Sequence, residues 1–74
     1  MMSEDVLTRF GSAVRNEREK QDLSQEELAE RAGMHRTYVG MVERAEKNIT
    51  LRNISKIANA LGLSLKDLFS KLEQ

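Results

Sequence analysis

The stretch Gln25 to Arg44, QEELAERAGMHRTYVGMVER, decides the fold. Ser24 just before it and Glu27 three residues on form a capping box. In that arrangement the hydroxyl accepts from the third helical amide while the carboxylate reaches back to the capping residue's own amide. This opens a short helix carrying Leu28, Ala29 and Ala32 inward, with Ala29 small enough for a neighbouring helix to approach closely. Gly33 ends it, because the residue just past a helix often needs positive φ and glycine takes it without steric cost. The apolar Met34 follows directly, and a second helix starts near His35 or Arg36 with Val39 and Val42 on one face. The end of that second helix is blurred across Ala45 to Asn48.

Working outward, Leu7, Phe10 and Val14 fall at i, i+3 and i+7, the stripe of an amphipathic helix from about residue 5 to about residue 21. Beyond the quoted stretch, Thr50 is an N-cap candidate. It opens a helix with Leu51, Ile54, Ile57, Ala58 and Leu61 on its apolar side, stopped by Gly62. Ser64 with Asp67 opens a last helix holding Leu65, Leu68, Phe69 and Leu72. The sum is a compact all-α domain of five short helices spanning residues 1–74 as one unit, with the deciding stretch supplying helices two and three. Two charged residues sit where these stripes predict carbon: Arg18 continues Leu7, Phe10 and Val14 by four, and Glu43 continues Val39 by four. A bidentate contact between them would satisfy both groups and fix the first helix on the third, a structural rather than a catalytic role. The competing arrangement leaves one or both at a solvated rim.

Composition narrows the chemistry. The 74 residues contain no cysteine, which excludes disulfides and thiolate metal sites, and a single histidine, which cannot build a zinc cluster. A core this small needs well-formed helix packing or oligomerisation behind it. The start, Met1-Met2-Ser3-Glu4-Asp5, is acidic and carries no secretory or transit signal, and no stretch reaches transmembrane length, so a cytoplasmic protein is expected. No catalytic triad, phosphate-cradling glycine loop or paired-carboxylate pocket is present. The expectation is a protein that is not an enzyme and needs no cofactor, membrane or small-molecule substrate.

The quoted stretch has the pattern of a helix-turn-helix, whose second helix is held out to enter a DNA major groove. Over nearly its whole length the chain resembles the lambda-repressor-like, or Xre-type, helix-turn-helix family. The run from His35 to Phe69, HRTYVGMVERAEKNITLRNISKIANALGLSLKDLF, is similar to the small controller proteins of restriction-modification systems. The resemblance implies a homodimeric transcriptional regulator on a near-palindromic double-stranded DNA operator, activating and at higher occupancy repressing its own operon and the endonuclease gene. It also implies a sigma factor of RNA polymerase as partner during activation, and a nucleoid-associated place in a bacterial cytoplasm. Because the sequence stops shortly after the fifth helix, no attached ligand-binding or cleavable domain is expected. Other readings consistent with the same sequence are a different stand-alone Xre-type repressor or antitoxin, and a protein-interaction module on the same fold.

Carried onto this chain, the resemblance makes Arg36 the start of the recognition helix. Arg36 can donate a bidentate pair to guanine and Thr37 can meet a base edge or a thymine methyl, while Met41 offers only apolar contact. Sparse direct readout of this kind leaves more of the specificity to DNA shape. Tyr38 suits a phosphate or a groove edge. Gln25, in the first turn of helix two, extends a phosphate site at the helix N-terminus. Arg44, Lys47, Asn48 and Arg52 cluster where relatives touch the DNA backbone, and His35 is an N-cap substitute or a phosphate neighbour. Gly40 stands in mid-helix at roughly 1 kcal/mol against alanine, which implies close approach to DNA or to a neighbouring helix, unless it is simply a tolerated surface glycine. Leu63, Leu65, Phe69 and Leu72 exceed what a short last helix can turn inward and are expected to form a two-fold interface.

Twelve basic side chains balance twelve acidic ones, and at face value this neutrality speaks against a nucleic-acid partner. Residues 1–30, however, hold four basic and eight acidic side chains, whereas residues 31–56 hold six basic and two acidic. An acidic back and a basic reading segment sum to zero, a dipolar arrangement that can orient the domain on a duplex.

Overall fold

The computed structural model describes residues 5–73. Five α-helices follow one another: α1 Val6–Lys20, α2 Gln25–Ala32, α3 Arg36–Glu43, α4 Leu51–Ala60 and α5 Leu65–Ser70, with a closing 3-10 turn Lys71–Glu73. Three starts are capped by hydroxyls, since Ser24, Thr50 and Ser64 each accept from the backbone amide three residues on, at 3.0, 3.1 and 3.0 Å. At α2 the box is complete, because the Ser24 amide also donates to Glu27 Oε1 at 2.8 Å. The backbone and hydroxyl hydrogen bonds of Ser24 hold the Glu27 carboxyl below the usual carboxylate range.

Four helix ends turn through a left-handed residue: Asp22 after α1 (φ 56°), Gly33 after α2 (70°), Ala45 after α3 (59°) and Gly62 after α4 (75°). Each is closed by an amide reaching back five residues, Leu23 to the Arg18 carbonyl, Met34 to Ala29, Glu46 to Met41 and Leu63 to Ala58. The boundary of α3, blurred in the sequence, is therefore sharp. Helical structure stops at Glu43, and alanine rather than glycine adopts the conformation that ends it.

The core is a single cluster in which Val14, Leu28, Val39, Ile57 and Leu68 are fully buried, surrounded by Phe10, Leu23, Ala29, Val42, Ala58 and Leu61. Helix α3 lies on α2 and α1, α4 on α2, and α5 with the closing turn on α4 and α1. The crossing of α1 over α3 has no room for a side chain at Gly11. A Cβ there would stand 2.5 Å from the Val42 carbonyl oxygen and 2.7 Å from that of Glu43.

Two expectations about apolar faces need correction. Leu51, expected on the inner side of α4, is 67% exposed. It opens the helix at the edge of the stripe set by Ile54, Ile57 and Leu61, so the buried surface ends before reaching it. Among the residues grouped as surplus at the C-terminal end, Leu63 and Leu72 pack against the chain's own core, whereas Leu65 and Phe69 are exposed.

Candidate nucleic-acid interface

The angle between α2 and α3 is set by a polar junction at the bottom of the motif. Arg18 donates from Nε to Glu43 Oε2 at 2.7 Å and from Nη2 to Glu43 Oε1 at 3.0 Å. Its remaining Nη1 donates to the Leu23 carbonyl at 2.7 Å, in the turn before α2. Gln25 of α2 then donates from Nε2 to Glu43 Oε1 at 3.0 Å. One guanidinium and one carboxylate thus tie α1, the α1–α2 turn, α2 and α3 together, with the two charged side chains only 11% and 4% exposed. Hydrogen bonding to Glu43 raises the Arg18 pKa above its ordinary value against the opposing effect of burial, so the guanidinium stays charged. A bidentate contact this dry has a geometry that a lysine could not reproduce.

Held this way, α3 buries Val39 and Val42 and presents the opposite side. A rotation of about 100° per residue places Arg36, Thr37, Gly40, Met41 and Arg44 on that side. Arg36 and Thr37 are exposed at its N-terminal end, and Met41 is half-buried. His35 occupies the N-cap position of α3 with extended backbone, but its side chain makes no capping hydrogen bond.

Two of the expected backbone contacts are committed within the chain. The Gln25 amide group serves Glu43, which leaves its backbone amide in the first turn of α2 and its side-chain oxygen for other partners. Tyr38 is half-buried against the core and its hydroxyl accepts from Asn53 Nδ2 at 3.2 Å. Because a phenol both accepts and donates, that contact leaves the hydroxyl hydrogen available while fixing where it can point. Asn53 was not singled out in the sequence; its place one turn into α4, three residues after the Thr50 cap, is the signal that marks it. Arg44 is exposed and pairs through Nε with Glu46 Oε2 at 3.1 Å. Lys47 and Asn48 in the α3–α4 loop and Arg52 in the first turn of α4 are exposed. The exposed basic side chains Arg36, Arg44, Lys47 and Arg52 thus follow one continuous course from the start of α3 through its connecting loop to the start of α4.

Among the described residues no three metal-ligating side chains converge, and no helix is long and apolar enough to cross a membrane. The family profile described as Helix-turn-helix matches residues 14–68. Control protein C.MunI of a Mycoplasma species is 41% identical over 71 residues, covering 95% of this chain and 96% of its own. Control protein C.BamHI of Bacillus amyloliquefaciens is 44% identical over 68 residues, covering 90% of this chain and 84% of its own. Among solved structures, the restriction-modification controller protein C.AhdI from Aeromonas hydrophila superposes with a TM-score of 0.82 at 46% identity, covering 85% of this chain and 96% of that one.

Proposed function

We infer that this chain's role follows from the family it belongs to, the helix-turn-helix family of DNA-binding transcriptional regulators, which are not enzymes, and from its similarity to restriction-modification controller proteins. From that premise we propose that it acts as the controller of such a system, binding a near-palindromic operator as a homodimer and regulating its own gene and that of the endonuclease. Two-fold symmetry places two copies of α3 about one DNA turn, roughly 34 Å, apart, and calls for two half-sites related in the same way. In each half-site Arg36 donates to guanine O6 and N7, Thr37 meets a neighbouring base edge and Met41 covers a thymine methyl. Gln25, Tyr38, Arg44, Lys47, Asn48 and Arg52 hold the register at phosphates and groove walls. At an activating site the bound dimer stands beside the sigma factor of RNA polymerase in the bacterial nucleoid.

The observation that carries this reading is the division of α3: Val39 and Val42 buried, Arg36 and Thr37 exposed at the end that leads into a groove. A protein-docking helix would show apolar or acidic residues there instead. A gel shift on the DNA immediately upstream of its own gene, with Arg36→Ala beside the unaltered protein, tests it. The variant is expected to lose about 10- to 100-fold in affinity together with most of its preference over random duplex. Unchanged affinity and preference would remove Arg36 from the reading surface.

A further inference from the structure

Gly40 stands in mid-α3 on the side away from Val39 and Val42 and is nevertheless buried, at a place where a glycine is the least favourable residue apart from proline. The contacts around it show what its missing side chain makes room for. A Cβ built at Gly40 would lie 3.0 Å from Arg44 Nη1 and 3.5 Å from Gln25 Oε1. Both are side-chain ends rather than backbone, and they lie over the buried glycine. Helical side chains lean toward the N-terminus onto the residue four positions back. Arg44 therefore folds back over Gly40 by about one turn, toward the end of α3 that enters the groove. Its Nε lies 3.1 Å from Glu46 Oε2 in an exposed ion pair, which leaves Nη1 and Nη2 with unused donors.

Gln25 borders the same seat. Glu43 can only accept, so the Gln25 amide must turn its NH2 to that carboxylate, and its oxygen consequently faces the space above Gly40. The buried Arg18–Glu43 pair thus extends by one hydrogen bond to an acceptor on the reading face.

We propose that Gly40 is a specificity-determining position, its bare backbone seating the Arg44 guanidinium where it reads a guanine edge in the major groove. Arg44 is then a base reader, Gly40 is a positioning residue, and Gln25 walls the seat on the α2 side. This rests on the sequence-specific DNA binding proposed above. It changes the part assigned to Arg44 from groove wall and backbone to base edge. Met or another straight-chain residue at position 40 would fill the seat while suiting the helix.

The test starts with the unaltered protein selecting from a pool of duplexes with a randomised core. Failure to enrich any sequence overturns sequence-specific binding itself and the present assignment with it. With a consensus in hand, Arg44→Ala, Arg44→Lys, Gly40→Ala, Gly40→Met and Gly40→Met/Arg44→Ala are titrated against the consensus duplex and its single-base-pair substitutions at several salt concentrations. Arg44→Ala and Arg44→Lys should each lose about 10- to 100-fold discrimination at one G·C pair per half-site and keep it elsewhere. Gly40→Met should lose discrimination at that same pair, and adding it to Arg44→Ala should remove no more. Gly40→Ala displaces only the flexible end of Arg44, so most of the discrimination should persist while Tm rises by about 4–8 °C. That rise shows independently that position 40 is filled without unfolding.

Two outcomes would overturn the assignment. If Arg44→Ala weakens every duplex equally and lowers the salt slope by about one, Arg44 is a phosphate contact. If Gly40→Met discriminates at the Arg44 pair as the unaltered protein does, the seat plays no part in reading.

Discussion

At Gly11 the fold leaves no room for a side chain, and the reason is geometric. The two atoms a Cβ would strike are backbone carbonyl oxygens of Val42 and Glu43, at 2.5 and 2.7 Å, which no side-chain rotation can move. Gly11→Ala is therefore expected to push α1 off the end of α3 and destabilise the domain by about 1–3 kcal/mol, the usual penalty of overpacking. A urea midpoint equal to that of the unaltered protein would show that the helices separate at no penalty. Gly40 makes the contrast, since what would meet a side chain there is the end of Arg44, and alanine at that position should cost nothing. Composition cannot tell these two helical glycines apart. Both interrupt amphipathic stretches, and only the crossing point of α1 on α3 distinguishes a backbone approach from a seat for a side chain. Arg18 and Glu43 were legible because each sits at a stripe position that demands carbon, so burial and hence partnership followed from periodicity. What periodicity did not contain was the rest of the junction: the Leu23 carbonyl and the Gln25 amide come to these groups through the turn and through α2.

Helix starts were easier to read than helix ends. Ser24, Thr50 and Ser64 cap through their own hydroxyls, a local interaction written within four residues. Gly33 and Gly62 likewise mark their stops because they are glycines. The ends of α1 and α3 use the same left-handed turn at Asp22 and Ala45, where aspartate is a weaker signal than glycine and alanine is none. Ala45 shows the conflict most clearly, since its φ of 59° is enforced by the Glu46 amide reaching the Met41 carbonyl at 2.8 Å. Left-handed backbone disfavours a Cβ by about 1–2 kcal/mol, part of which glycine gives back in unfolded-chain entropy. Ala45→Gly is accordingly expected to stabilise the protein by about 0.5–1 kcal/mol. In denaturant this appears as a higher midpoint at constant slope. A lower midpoint would mean that Ala45 makes a packing contribution larger than its strain. Leu51 is exposed because a stripe defines a direction, but at the first residue of a helix it does not define how far the neighbouring surface extends.

For the whole molecule, basic charge and exposed apolar surface fall in two different regions of the chain. The basic surplus runs from Arg31 to Lys56, through α3 and the start of α4, and the exposed apolar pair Leu65 and Phe69 lies on α5. Leu63 and Leu72 lean on the chain's own core, so the two-fold contact proposed above would centre on Leu65, 36% exposed, and Phe69, 39% exposed. An aromatic anchor of this kind commonly carries a large share of an interface. Phe69→Ser should therefore weaken self-association by about 10-fold or more in sedimentation equilibrium, because removing a central aromatic costs about 1–3 kcal/mol. It should leave the monomer folded, since Phe69 lies outside the buried cluster while Leu68 beside it is fully buried. Circular dichroism at high dilution checks that separation. The effect on DNA follows from linkage. Two recognition helices held by one dimer bind a two-half-site operator far more tightly than either alone, through effective concentration and without any new contact. Phe69→Ser should consequently lose affinity for the two-half-site duplex while binding a single half-site as the unaltered protein does. Loss on both duplexes would place Phe69 in the folding of the reading surface, and an unaltered protein that sediments as a monomer throughout the micromolar range would remove the two-fold contact altogether.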